Sequence, residues 1–217
     1  MTDGLQLEPI DIRVLGVLAE KEQLTPDNYP LSLNALVNGC NQLTSRDPVM
    51  AVSETEVQQS LDLLTAARLA AEVSQAGARV PKYEHRMRLH WTLEQDRLAA
   101  LAMLMLRGPQ TAAEVRSRAG RMHEFGSVAA AEVALQFLID KYPPLVARLA
   151  RSPGAKEGRY AHLLSGEPVD AEAAAAPETG GATRQDRVAM LEQEVAALKV
   201  EVARLSGEFA DIRRLLE

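Results

Sequence analysis

The sequence predicts a mainly α chain with small β wings: two tandem winged-helix domains followed by a C-terminal coiled-coil helix. Three observations carry that expectation. A pattern of three helices and a β-hairpin occurs twice. Lys82-Tyr83-Glu84-His85 in the first copy is answered by Arg159-Tyr160-Ala161-His162 in the second, 77 positions on, and Glu56-Val57 by Glu132-Val133. Alanine and leucine abound while aromatic residues make up only 4% of the chain, which favours helices. Over residues 187–217 the apolar residues step alternately by three and four. A repeat of about 80 residues marks duplicated domains rather than a solenoid and is long enough for a modest core in each copy. The expected divisions are 1–87, 88–166, a linker over 167–186 and the coiled-coil helix over 187–217.

The first helix is expected over Pro9–Gln23, because proline suits the first helical position and Ile12, Leu15 and Leu18 form a stripe. Pro26 and Pro30 keep the following entry extended. Ser32 stands at an N-cap, and Leu33, Leu36, Val37 and Cys40 give a buried face to the second helix. Cys40, the chain's single cysteine, reads as a small buried hydrophobe. The third helix opens on a capping box of Ser53 and Glu56 and buries Val57, Leu61 and Leu64. Strands are expected over Leu69–Ser74 and Val80–Arg86 around a Gln-Ala-Gly-Ala turn.

In the second copy, Thr92 and Gln95 are expected to cap a helix through Leu106, stopped by Gly108 and Pro109. Its run Leu98–Leu106 is apolar all round and calls for cover on several sides. Either the first domain supplies that cover or the second domain has a thick core of its own. Thr111 and Glu114 form another capping box, and a third helix follows Ser127 with Val133 and Phe137 in its apolar stripe. Strands Leu145–Arg151 and Arg159–Leu164 complete the copy. In the tail, a positions Val188, Val195, Val202 and Phe209 and d positions Leu191, Leu198, Leu205 and Ile212 predict a parallel homodimer. Glu194 would face Lys199, and Glu208 would face Arg213, in a parallel pair.

Three stretches carry a resemblance: TPDNYPLSLNALVNGCNQ with SRDPVM, RGPQTAAEVRSRAGRMHEF, and GRYAHLLSGE. Together they resemble the YceH-like family of bacterial proteins over nearly the whole chain. The resemblance implies two winged-helix domains and a coiled coil, and it brings no assigned activity. The family pattern favours lysine where this chain has Leu43 and asparagine where it has Ser45, so a positive charge is missing beside the second helix.

Charge bounds the function. The net charge of −6 argues against a generally DNA-coating protein. Residues 1–87 carry 7 Lys+Arg against 12 Asp+Glu, residues 88–167 carry 11 against 8, and residues 168–217 carry 6 against 10. The middle third is therefore the part suited to a polyanion. Six of its residues could reach phosphates: Arg116, Arg118 and Arg121 after the second helix, and Arg151, Lys156 and Arg159 around the wing. A second candidate face is rich in amides: Asn34, Asn38, Asn41 and Gln42, with Arg46 beyond them. Such amides either bond neighbouring loops or meet a ligand or partner. No phosphate loop, dinucleotide fingerprint or nucleophile elbow occurs. None of His85, His90, His123 and His162 lies at metal-ligand spacing from another His or a Cys, so neither enzyme chemistry, a cofactor nor a metal is expected. His85 and His162 occupy equivalent places and read as packing residues. Met1–Glu8 has two acids and no apolar core, and the longest apolar run is nine residues, so a cytoplasmic chain with no membrane partner is expected. Two uses fit: DNA-associated regulation through the basic side of the second domain, preferred on fold analogy, or a protein-interaction scaffold.

Overall fold

Helix α1 (Pro9–Leu24) starts where a proline at the first position meets Asp11, whose carboxylate accepts the Glu8 amide at 2.9 Å. The computed structural model describes residues 6–73, 80–150 and 157–166. They form a mainly helical fold with two small antiparallel sheets. After α1 come strand β1 (Leu31–Ser32), α2 (Leu33–Cys40), α3 (Glu54–Ala66), β2 (Ala70–Val73) and β3 (Lys82–His85). The sheet order is β1-β3-β2, with Leu31 opposite Tyr83 and Ala70 opposite His85. The caps fall where the side-chain chemistry places them. Ser32 Oγ accepts the Ala35 amide at 3.3 Å, and Ser53 and Glu56 bond each other's backbone amides.

The second half repeats the order. Helices α5 (Gln95–Arg107), α6 (Ala112–Ala119) and α7 (Val128–Ile139) precede β4 (Val146–Arg148) and β5 (Tyr160–His162), with a short α4 (Met87–Trp91) between the halves. Thr111 and Glu114 cap α6 reciprocally, and Ser127 Oγ accepts the Ala130 amide at 3.1 Å. The place of β1 is taken by a single bridge, in which Gln110 and Tyr160 exchange backbone bonds of 3.0 and 2.7 Å. Leu31 opposite Tyr83 thus has its counterpart in Gln110 opposite Tyr160, each just before a capping hydroxyl.

Cover for the apolar α5 comes from the first half. Every residue from Leu98 to Leu106 is buried, as is every residue of α1 from Asp11 to Glu20. The two helices pack together at Gly16, where a Cβ would lie 2.9 Å from Leu106 Cδ2. One continuous apolar core runs through both halves. On the other side of α1, α2 comes as close: a Cβ on Gly39 would meet Val17 Cγ1 at 2.6 Å.

Two expectations are corrected. Thr92 does not start α5. It closes α4 in the left-handed region at φ 52°, which cannot serve as an N-cap, and Glu94 takes that position instead. Val133 is not in the α7 core stripe but is 66% exposed. The buried set of α7 is Ala131, Ala134, Leu135 and Leu138, which matches Val57, Ser60, Leu61 and Leu64 of α3. Counted from the capping serines, the helices are 74 positions apart, not the 77 of the hairpins, so the shared Glu-Val letters point to different faces. Phe137 is partly buried, with the Arg97 guanidinium stacked 3.9 Å from its ring centre. The expected linker over 167–186 and the heptad residues Val188 to Ile212 lie outside the described residues.

Candidate functional site

The amide-rich stretch splits into a fastening and an open edge. Asn41 clamps Val52 through both sides of its amide, each bond 2.8 Å, and so closes the loop between α2 and α3. Arg46 is turned inward. Its guanidinium straddles Glu20 at 3.1 and 2.6 Å, donates to the Gly39 carbonyl at 3.1 Å and to Gln42 Oε1 at 2.9 Å. Its side chain is 0% exposed, so Arg46 belongs to the structure's interior rather than to a ligand face, while Asn41 is partly buried and spends its amide on Val52. The loop leaves its apolar Leu43 and Val49 exposed and is anchored at this point by the Arg46–Glu20 ion pair. Burial would raise the Glu20 carboxyl, but the bonds and charge of Arg46 and Lys21 outweigh it and hold it below its ordinary value. Arg13 is buried on the same side and donates to the Cys40 carbonyl at 3.0 Å. Burial pushes the Cys40 thiol up to about 12 against the opposing charges of Arg13 and Arg46, which leaves it a neutral core residue. Only Asn34 and Asn38 stay exposed, bonded to each other at 3.0 Å.

The basic candidates of the second half are exposed but mostly engaged. Arg116 donates to the Phe125 carbonyl at 3.2 Å. Arg118 bonds Gln110 at 2.9 Å and Glu114 at 3.1 Å. Arg159 donates to the Pro109 carbonyl at 2.8 Å and lies 3.9 Å from Glu114. Arg121 is exposed. Arg151 and Lys156 lie outside the described residues. Neither helix that precedes a hairpin contributes a positive charge: α3 (ETEVQQSLDLLTA) and α7 (VAAAEVALQFLI) contain no Lys or Arg.

The equivalent histidines differ in surroundings. His85 Nε2 lies 3.3 Å from Glu22, which also takes the Arg88 guanidinium at 3.1 Å. Burial would raise the Glu22 carboxyl, but the bond and charge of His85, with Gln23 and Arg88, win and bring it to about 2. The His85 backbone amide donates to the Tyr29 hydroxyl at 2.8 Å, and burial pushes the Tyr29 hydroxyl well above its ordinary range. Among the described residues His162 has no such carboxylate: burial brings its imidazole down to about 4. Among the described residues no three His, Cys, Asp or Glu side chains are grouped to hold a metal, and no helix is long and apolar enough to cross a membrane.

One cleft of about 570 Å³ joins the halves. Lys21 of α1, Ser45 of the α2–α3 loop, Arg107 of α5, and Arg118 and Arg121 of and after α6 line it. Gln42, a residue of the predicted amide face, lines it too. Gln42, Arg118 and Arg121 stand out in the sequence as candidates, and Ser45 only as a departure from the family pattern. Lys21 and Arg107 carry no local pattern, because four separate elements bring the site together.

A mainly helical chain with two small antiparallel hairpins and a charged cleft between its halves is the class that the coordinates define. Within it, residues 7–155 match the family model described as Protein of unknown function, DUF480. A UPF0502 protein of Herminiimonas arsenicoxydans is 62% identical over 210 residues, which cover 95% of this chain and 89% of the relative. One from Janthinobacterium sp. (strain Marseille) is 61% identical over 208 residues, with the same 95% and 89% coverage. A UPF0502 protein of Geobacter sulfurreducens is 48% identical over 195 residues, covering 88% and 89%. The chain belongs to this DUF480/UPF0502 family, the YceH-like proteins.

Proposed function

We propose that the chain is a non-enzymatic tandem winged-helix protein that docks a basic, partly apolar protein segment on α3. It would act in the cytoplasm as a homodimer joined by the parallel coiled coil of residues 187–217. One observation carries the docking reading. Helix α3 exposes Glu54, Glu56 and Asp62 and no cation, beside an open groove of about 560 Å³ lined by Ile10, Val52 and Leu63. Phosphates would meet three carboxylates there, whereas lysines or arginines flanking an apolar side chain would be complementary. Exposed Leu63 and Val49 supply apolar surface at and near the groove.

A second reading has one observation in its favour. The exposed arginines Arg116, Arg118, Arg121 and Arg159 give the second half a basic side that could meet DNA phosphates without base readout. A salt-titrated assay on random duplex DNA separates the two. If all six basic candidates of residues 116–159 contacted phosphate, the log–log salt slope would be roughly −5 per chain. The docking reading expects no such slope. It also expects a partner captured from the source cells to be lost by Leu63→Lys and kept by the triple charge reversal of Arg116, Arg118 and Arg121 to Glu. Capture that survives Leu63→Lys, or steep salt-dependent DNA binding abolished by the triple reversal, overturns it. Truncation after Gly166 is expected to turn the dimer into a monomer in light scattering, and a truncated dimer removes the coiled-coil assignment.

A further inference from the structure

We propose that the cleft between the halves is a binding site for a small phosphorylated anion. Its volume, about 570 Å³, lies in the range of small-ligand sites. Its charges do not balance. Four cations line it, Lys21, Arg107, Arg118 and Arg121, against one carboxylate, Glu20. That carboxylate is already taken, at 2.6 Å by Arg46 and at 3.4 Å by Lys21. Arg118 is balanced by Glu114 at 3.1 Å. Arg107 and Arg121 make no ion pair among the described residues.

Arg107 is the centre of the site. Its guanidinium donates to Ser45 Oγ at 2.5 Å, and its Nε is buried with no acceptor among the described residues. A guanidinium that lines a cleft without a carboxylate partner is what an oxyanion would satisfy, since charge-assisted hydrogen bonds to an anion are the strong ones. Burial first, then the like charges of Arg118 and Arg46, depress the Arg107 guanidinium below its ordinary value, and only Glu20 opposes them nearby. An anion between Arg107 and Arg121 would offset that repulsion. The hydroxyls of Thr44 and Ser45 stand at the cleft as further donors, while Leu24 and Met103 give it apolar wall for the ligand's body. Two guanidinium groups and two hydroxyls suit a tetrahedral, multiply charged oxyanion better than a single carboxylate. The site does not rest on the docking role of α3, which lies on different residues.

The full chain should be titrated with sodium pyrophosphate and, separately, with adenosine 5′-diphosphate, by calorimetry and by amide NMR. Saturable binding is expected below ~1 mM for at least one probe, with the Thr44 and Ser45 amides shifting. Arg121→Gln, at an exposed position that the fold does not need, is expected to weaken binding at least about tenfold, and Arg107→Gln at least as much. Arg116→Gln, which removes the same charge from α6 outside the cleft, should leave affinity within about twofold. Tighter binding of the diphosphate than of pyrophosphate assigns the apolar wall to an organic body; equal binding keeps the anion site alone. No binding of either probe at ~5 mM overturns the proposal, as does an equal loss in Arg116→Gln and Arg121→Gln.

Discussion

The two halves share an order of elements and differ in what they bury. In the first half Asp11, Arg13, Glu20, Arg46 and His85 lie in the interior: Asp11 accepts the Glu8 amide, Arg13 donates to the Cys40 carbonyl, Arg46 pairs with Glu20, and His85 lies beside Glu22. In the second, Gln110 is the buried polar residue among those described, and the core beneath α6 and α7 is alanine, valine and leucine. The difference follows from the connections. Residues 42–53 of the first half make a longer loop whose Leu43 and Val49 stay exposed, and it is pinned by the ion pair of Arg46 on Glu20 and the amide clamp of Asn41 on Val52. The equivalent turn of the second half is short and is closed by Met122 and Phe125, both buried. One architecture has been stabilised by two routes, buried ion pairs and plain packing.

Removing Arg46 tests that contrast hardest. Arg46→Ala leaves Glu20 buried without its partner and is expected to cost about 3–5 kcal/mol in denaturant unfolding. Arg118→Ala, which breaks the half-exposed pair with Glu114, should cost under about 1 kcal/mol. Equal losses would end the distinction between the halves. Next in size is Gly39→Ala, whose new Cβ would press on Val17 and cost about 1–3 kcal/mol. Gly126→Ala meets nothing within 4 Å and should be close to neutral.

The histidines sharpen the comparison in acid. His162 must stay neutral to remain in place, so its contribution is complete above pH 6.5 and is lost as pH falls from there towards about 4. His162→Phe should flatten stability over that window. Glu22 acts lower. Its depressed carboxyl contributes above pH 4.5, and that contribution is lost as pH falls towards about 2, so Glu22→Gln should flatten only the acid end. A single shared window for both variants would contradict the separate environments. Smallest is the pair of capping boxes. Ser53→Ala and Thr111→Ala should each cost about 1 kcal/mol, and equally, because the two geometries are the same.

What the sequence made legible was local. Ser53 with Glu56, and Thr111 with Glu114, announce helix starts within four residues, and the structure places both. The run Leu98–Leu106 announced its own burial but not its cover, which depends on a glycine more than eighty residues earlier. Val133 was misplaced because shared letters were aligned across loops of different length, while the capping serines keep the true register. Thr92 misled because its hydroxyl suits a cap and only the preceding short helix shows that its backbone does not. Arg46 reads as a surface cation in a polar turn, since nothing nearby in the sequence names Glu20 as its partner. The cleft was invisible for the same reason: Lys21, Ser45, Arg107 and Arg121 meet only in three dimensions.

The close crossing at Gly16 means that the repeat cannot be undone by cutting it. A fragment ending before α4 would bare the side of α1 that α5 covers, and a fragment beginning there would carry a wholly greasy helix into water. Each piece expressed alone should aggregate, while the two produced together should find each other and restore the folded whole.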